Sequence, residues 1–285
     1  MKSAALLCAV LLAACSSGNP TTAAHTSTAA PSPTATSGVP TTKVVTIVLE
    51  NHGDSEALQG MPYLSSLAQT YGHSSNYANL AHPSLPNYLA MAAGSTFEIS
   101  DDLDADSHPL DGTTVFDSAN AAVYAEGMTS PCQADNKDKY AGRHNAWTYF
   151  AQGHDACVQR DLPLTDLNVQ QLPTVGLIVP DLCHDAHDCE LDEADGFLKE
   201  WVPKLIASPD YTSGKLALVV IFDEVENGGQ GKLLTTVIAP RLKGVIVDAP
   251  LNHLAWCRWM TDLEGAAPLR DAAGAPSLGA AFGLT

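Results

Sequence analysis

Leu216-Ala217-Leu218-Val219-Val220-Ile221-Phe222 is an unbroken apolar run that ends abruptly in Asp223-Glu224. Its length and β-branched content fit a strand buried on both faces, as in a parallel sheet. Lys43-Val44-Val45-Thr46-Ile47-Val48-Leu49 reads the same way and ends in Glu50-Asn51. Shorter runs predict further strands over 121–125, 174–179 and 233–239. Between them, apolar residues at helical spacing predict helices over 62–71, 83–93, 194–206 and 253–263. Gly72 and Gly94 are expected to stop two of these, and Pro203 to bend or end a third. Strands alternating with helices give an α/β class, with a mostly parallel central sheet flanked by helices.

In such sheets ligands bind at the carboxyl ends of the strands. Glu50-Asn51 and Asp223-Glu224 therefore place oxygen ligands on one sheet edge. Carboxylates with an amide oxygen suit one hard divalent cation, Mg²⁺, Ca²⁺ or Mn²⁺ rather than Zn²⁺. Each pair alone could equally cap the following turn. The segment His82-Pro83-Ser84-Leu85-Pro86-Asn87-Tyr88 opens a predicted helix, with Ser84 and Asn87 on one face. A helix N-terminus suits phosphate. Ser84 is then either a nucleophile beside the cation or an ordinary N-cap, and the local pattern supports both. The polar stretches 101–120 and 127–171 are too long for simple connections and are expected to wall the site.

Outside this domain, Lys2 and an apolar run from Ala4 to Ala14 read as an export signal, too short to span a bilayer. The run leads into Leu12-Ala13-Ala14-Cys15-Ser16, which resembles a bacterial lipobox. The expected organisation is a signal peptide (1–14), a lipidated Ser/Thr/Pro/Ala-rich tether starting at Cys15 (15–42), and one enzyme domain (43–285). The chain is then exported and held on the outer face of the cell membrane through its lipid anchor, or released from it; a plain signal peptide is the other reading. The chain has 285 residues, 45% hydrophobic, and a formal charge of −18, which argues against nucleic-acid binding. An anionic substrate would need local positive charge, and a bound cation supplies it. Of the seven cysteines, Cys132, Cys157, Cys183 and Cys189 are disulfide candidates. Cys183 and Cys189 could close a small loop, and Cys132 and Cys157 could bracket the segment between them. Cys257 is expected to be free and buried.

Glu50-Asn51-His52, Met61-Pro62-Tyr63-Leu64 to Leu67-Ala68, and His82 to Tyr88 resemble the bacterial phosphoesterase family of acid phosphatases and phospholipase-C-like enzymes, a branch of the alkaline-phosphatase superfamily. Tyr124-Ala125-Glu126, Arg143-His144-Asn145, Pro180-Asp181 to His187-Asp188-Cys189, Phe222-Asp223-Glu224 and His253 follow in the same order. The likeness covers residues 43 to 265 and is near the small secreted acid phosphatases of actinobacteria. It implies an alkaline-phosphatase-like fold and metal-dependent hydrolysis of phosphate monoesters through a phosphoserine at Ser84. Glu50, Asn51, Ser84, Asp223 and Glu224 would be metal ligands. Asn87 and His144 would contact the phosphate, while His187 and His253 would line the site, one protonating the leaving group. The substrate would be a small phosphate ester or a phospholipid head group, the chain a monomer. The alternatives are a phosphodiesterase or phospholipase C, and a non-catalytic surface lipoprotein. His184, Glu224 and the residues beside His253 depart from the family pattern.

Overall fold

The computed structural model describes Met1, residues 39–226 and residues 228–285. The expected signal peptide and nearly all of the tether, Cys15 included, lie outside the described residues. The strands are β1 (Lys43–Leu49), β2 (Gly72–Ser74), β3 (Tyr77–Ala78), β4 (Ala121–Ala125), β5 (Asp161–Pro163), β6 (Val175–Val179), β7 (Leu216–Phe222), β8 (Thr235–Ile238), β9 (Val245–Val247) and β10 (Leu251–Asn252). The α-helices are α1 (Asp54–Gly60), α2 (Pro62–Thr70), α3 (Ser84–Ala93), α4 (His154–Arg160), α5 (Leu191–Ile206), α6 (Pro209–Thr212), α7 (His253–Glu264) and α8 (Leu278–Ala281).

Eight strands form one sheet in the order β5-β4-β6-β1-β7-β8-β2-β9, and β10 pairs with β3 separately. β1 lies at the centre, parallel to β6 on one side and to β7 on the other. Only β8 runs against its neighbours, antiparallel to β7 and β2. The mostly parallel expectation therefore holds. Every residue of β7 is buried, as is every residue of β1 after Lys43. That double-sided burial is why both runs read as continuous rather than alternating. Lys43, at the strand's start, stays near the surface, where its Nζ donates to Asp210 at 2.8 Å.

The helices pack on this sheet through apolar faces. On α7, Trp256 is fully buried, and its indole N–H donates to Thr46 Oγ1 of β1 at 2.8 Å. Such a bond satisfies the one polar atom of a large buried ring. Gly94 ends α3 in the left-handed conformation at φ 72°, as its position predicted. A Cβ there would also sit 2.4 Å from the Leu269 carbonyl oxygen.

Three local expectations shift. α5 starts at Leu191 instead of 194 and carries Pro203 inside its last turn, ending three residues later at Ile206. The strand predicted over 233–239 is the shorter β8. The three-residue strands β2 and β9, together with α1, gave no periodic signal in so few residues. Both disulfides are present, Cys132–Cys157 and Cys183–Cys189, and Cys257 is free and buried. Among the described residues, no helix is long and apolar enough to cross a membrane.

Candidate active site

The carboxyl ends of β1 and β7 are adjacent, since Leu49 pairs with Phe222. That pairing brings Glu50-Asn51 beside Asp223-Glu224. Asn51 takes a left-handed conformation at φ 65°, which asparagine tolerates better than most residues. The turn aims its backbone N–H at Asp223 Oδ1, 3.1 Å away. Asp223 Oδ1 also accepts the Glu224 N–H at 2.6 Å. Glu50, Asp223 and Glu224 are all buried.

Ser84 is the first residue of α3 and the N-cap is Pro83, so Ser84 does not spend its hydroxyl on capping. Instead Ser84 Oγ donates to Glu50 Oε2 at 2.9 Å and lies 3.5 Å from Glu224 Oε1. The other oxygen of Glu50 accepts from the Tyr88 hydroxyl at 2.6 Å. Ser84 thus stands between Glu50 and Glu224, with Asp223 held on the backbone beside them, and Asn51 adjoins through its own backbone N–H.

A third carboxylate-bearing loop joins from β6. Asp185 is fully buried, and its Oδ1 accepts the His187 N–H at 2.8 Å. His144 lies between Asp185 and Glu50, its Nδ1 3.3 Å from Asp185 Oδ2 and its Nε2 3.5 Å from Glu50 Oε1. Its ring stacks on Tyr88 at 4.9 Å and 4°. Asp185 and Tyr88 are site residues that the sequence reading left without a role. The one usable signal was the Asp185-x-His187 spacing after a buried strand.

Burial raises every carboxyl in this cluster. Glu50 is pushed well up by burial and then by the charges of Asp223 and Asp185. Asp223 rises to about 7 through burial, and Asp185 to about 8 for the same reason. Glu224 rises to about 9 through burial, then the charges of Asp223 and Asp102. Burial, followed by the Arg143 and His187 charges, holds His144 well below the ordinary histidine value. Several polar atoms here are buried without a hydrogen bond: Asp223 Oδ2, Glu224 Oε2, Asp185 Oδ2 and His144 Nε2. His82 Nδ1 lies 2.9 Å from Glu224 Oε2, but not in hydrogen-bond alignment. Orphaned buried oxygens carry a large desolvation cost. A cation would neutralise them and reverse the direction of these shifts. The donor set is therefore chemically suited to a divalent metal.

Three expected roles do not fit. Asn87 is fully buried, and its Oδ1 accepts the N–H groups of Leu80 and Ala81, both at 3.1 Å. Its Nδ2 donates to Ala81 O at 2.9 Å and Pro83 O at 3.4 Å. With every polar atom spent on the loop before Ser84, Asn87 braces that loop and has no donor left for a phosphate. His144 is only 1% exposed and sits behind Glu50, so it too faces carboxylates instead of substrate. His253 is fully buried, with Nε2 donating to the Asp223 carbonyl at 2.6 Å and Nδ1 accepting from Tyr77 at 3.2 Å. Burial presses its pKa down to about 4. A neutral ring with both nitrogens engaged positions Asp223 and cannot protonate a leaving group. His187 also has both nitrogens engaged, Nε2 accepting from Arg143 Nη2 at 3.0 Å and Nδ1 donating to Asp188 Oδ1 at 2.7 Å, but unlike His253 it is partly exposed. Arg143 brings positive charge beside the cluster, with Nε 3.5 Å from Asp102 Oδ2.

Residues 55–232 match the model of the Phosphoesterase family. The chain belongs to that family. The match contains Ser84, His144, Asp185, Asp223 and Glu224, while Glu50, Asn51 and His253 lie outside it. Membership makes the chain a phosphoric ester hydrolase. A phosphatidylinositol-3-phosphatase of Mycobacterium tuberculosis is 26% identical over 234 residues, covering 77% of this chain and 76% of its own. A probable acid phosphatase of Kluyveromyces lactis is 30% identical, covering 73% of this chain and 54% of its own. A phosphate-repressible acid phosphatase of Penicillium chrysogenum is 29% identical, with 74% and 56% covered. The chain thus spans about half the length of these fungal relatives. A Vibrio parahaemolyticus protein of the alkaline phosphatase superfamily superposes with a TM-score of 0.56 at 12% identity, over 81% of this chain and 71% of that one. That likeness gives the fold, an alkaline-phosphatase-like α/β sheet.

Proposed function

We propose that this phosphoesterase is a metal-dependent phosphomonoesterase of the acid phosphatase type, acting through a phosphoserine at Ser84. The observation that carries the reading is the bond from Ser84 Oγ to Glu50 Oε2 at 2.9 Å, at the first residue of a helix. The Ser84 hydroxyl would release its proton to solvent, its pKa lowered by the cation that Glu50 helps to hold. The Ser84 oxygen attacks phosphorus, its bond to phosphorus forms, and the bond to the leaving alcohol breaks in line. Water then cleaves the phosphoserine. A divalent cation held by Glu50, Asn51, Ser84, Asp223 and Glu224 would lower the serine pKa and polarise a phosphoryl oxygen. Arg143 contributes charge at the equatorial oxygens.

The leaving oxygen takes its proton from an imidazole at the opening, where His82 and His187 are both partly exposed; His187 would serve only after its Nε2 leaves Arg143 and takes up a proton. The donor is identified by leaving-group dependence: its Asn variant slows an alkyl phosphate more than a nitrophenyl phosphate. The substrate class includes lipid-borne monoesters, in keeping with the name of the mycobacterial relative and with the expected tether starting at Cys15. Export and lipidation at Cys15 belong to the same proposal, and mass spectrometry of the native N-terminus tests them. For the reaction, Ser84→Ala is assayed beside the wild type on nitrophenyl phosphate, a phosphoinositide and a phosphocholine diester, with and without chelator. The reading requires monoester turnover that is lost in the variant and in chelator. Diester turnover exceeding monoester turnover would favour the phospholipase C reading.

A further inference from the structure

Helix α5 carries a stripe in which glutamates and aromatic rings recur together. Glu193, Gly196, Phe197, Glu200 and Trp201 stand at helical spacing, i, i+3, i+4, i+7 and i+8, and all of them line a cavity of about 520 Å³. Its other walls come from the segments that follow β4 and β5, with Met128 and Leu164 among them, and from His184. The cavity therefore lies at the carboxyl ends of strands, where ligands bind in such sheets. β6 separates β4 from β1. Two strand spacings, about 10 Å, thus lie between this edge and the strand that leads to Glu50.

The lining selects the ligand. Among the described residues that line the cavity none is a lysine or arginine, while Glu126, Glu193 and Glu200 are all carboxylates. An anion is thereby disfavoured, the more so in a chain of formal charge −18. His184 is bonded to Glu126 at 2.9 Å, and Lys204, outside the lining, donates to Glu200 at 2.7 Å. Glu193 is left to meet an incoming positive charge. A bare metal ion needs converging free oxygens. Here the oxygens of Glu126 and Asp181 that face His184 already accept N–H groups. An organic ammonium needs less: aromatic faces and a carboxylate nearby. The faces form a row, His184 against Phe197 at 5.5 Å and Phe197 against Trp201 at 6.1 Å. Lys204 Nζ, 4.3 Å above the Trp201 ring and bonded to Glu200, shows the same helix already holding an ammonium in this way.

Gly196 adds a separate observation. Glycine weakens a helix interior, yet it sits mid-way along α5. A Cβ there would meet nothing within 4 Å, so close packing does not require it. What a side chain at Gly196 would do is enter the cavity.

We infer that this cavity is a binding site for a small organic ammonium ion, separate from the Ser84 centre. Its volume suits a ligand of that size. The site goes beyond the proposed reaction and does not depend on it.

The test is calorimetric titration of the metal-loaded full chain with benzyltrimethylammonium, benzyl alcohol and benzenesulfonate. One ammonium per chain is expected, bound at least about tenfold more tightly than the alcohol, with no sulfonate binding. Glu193→Gln should weaken the ammonium by about tenfold. Gly196→Leu should abolish its binding without lowering the melting temperature, since leucine favours a helix. Should Gly196→Leu fail to fold, Glu193→Gln decides. Ser84→Ala should bind as the wild type does, so the result stands or falls apart from the phosphoserine. No ammonium binding, equal affinity for the alcohol, or unchanged affinity in Glu193→Gln or in folded Gly196→Leu would overturn the site. So would crystals soaked in the ammonium that place it beside Ser84 instead of beside Phe197 and Trp201.

Discussion

Two histidine–carboxylate clusters share the loop 180–189, and they differ in how their polar atoms are paired. On one side Asp185 meets His144 and Glu50, all buried, with Asp185 Oδ2 and His144 Nε2 unpartnered. On the other, Glu126, Asp181 and His184 are only partly buried, and their facing atoms are supplied with partners. Glu126 Oε2 accepts from His184 Nδ1 at 2.9 Å and from the Asp181 N–H at 3.1 Å. Asp181 Oδ1 accepts from the Cys183 and His184 N–H groups at 2.9 and 3.0 Å. This second cluster borders a cavity of about 520 Å³ with Phe197 and Trp201. Residue types and cavity size would favour it as the reactive centre, yet its facing polar atoms already have partners. The difference teaches that unmet electrostatic demand, rather than composition, marks where a cation and a phosphate belong.

The comparison breaks most visibly in activity. Ser84→Ala should lower kcat by more than about 10⁴-fold, as loss of a covalent nucleophile does. Glu126→Gln should change it by about twofold, the scale of an ordinary substitution away from the reacting atoms. Steady-state kinetics on a phosphate monoester compares them, and equal losses would erase the distinction.

Stability of the metal-free protein should sharpen it next. Asp223 and Glu224 hold protons to about 7 and 9 when folded but only to about 4 when unfolded. The folded state therefore binds more protons between those values, and metal-free stability falls as pH rises from about 4 to about 9. A divalent cation at a hundredfold excess over its Kd should add about 2.7 kcal/mol. Thermal melts should show the larger gain at pH 8 than at pH 5, because ligands must be deprotonated. A gain larger at pH 5 would contradict the placement.

His253 shows the paired condition at full burial. Its folded pKa of about 4 lies below the unfolded value of about 6.5. The unfolded chain then takes up a proton first, so the wild type loses stability as pH falls through that window. His253→Gln should remove this acid-side loss while costing about 1–3 kcal/mol at neutral pH through the buried partners it strands. Melts across pH 4 to 7 check both signs. The smallest effect is at His184. Partial burial pulls its pKa down, and the hydrogen bond and charge of Glu126, with Asp181, more than restore it above the ordinary value. Glu126→Gln should lower it, as read by NMR titration of the ring.

Much of this was legible in the sequence because burial on both faces leaves a continuous apolar run. β1 and β7 announced themselves, and the residues at their ends had to share an edge. His82 to Tyr88 likewise announced a helix start. What the sequence cannot carry is which atoms are already spent. Asn87 has the right type and spacing for a phosphate contact, but its amide is consumed by Leu80, Ala81 and Pro83. His253 looked available until Tyr77 and the Asp223 carbonyl were found on its two nitrogens. Asp185 was overlooked for the opposite reason: its value lies in contacts with Glu50 and His144, residues 135 and 41 positions away in the chain.

The most direct test of the Ser84 account is to trap the covalent enzyme. Metal-loaded protein is mixed with a phosphate monoester, quenched in acid within the first turnover, digested and analysed by mass spectrometry. The account predicts phosphate on Ser84 in the peptide containing His82 to Tyr88, absent after Ser84→Ala. Rapid product formation with no phosphorylated Ser84, or with phosphate on another residue, would contradict it.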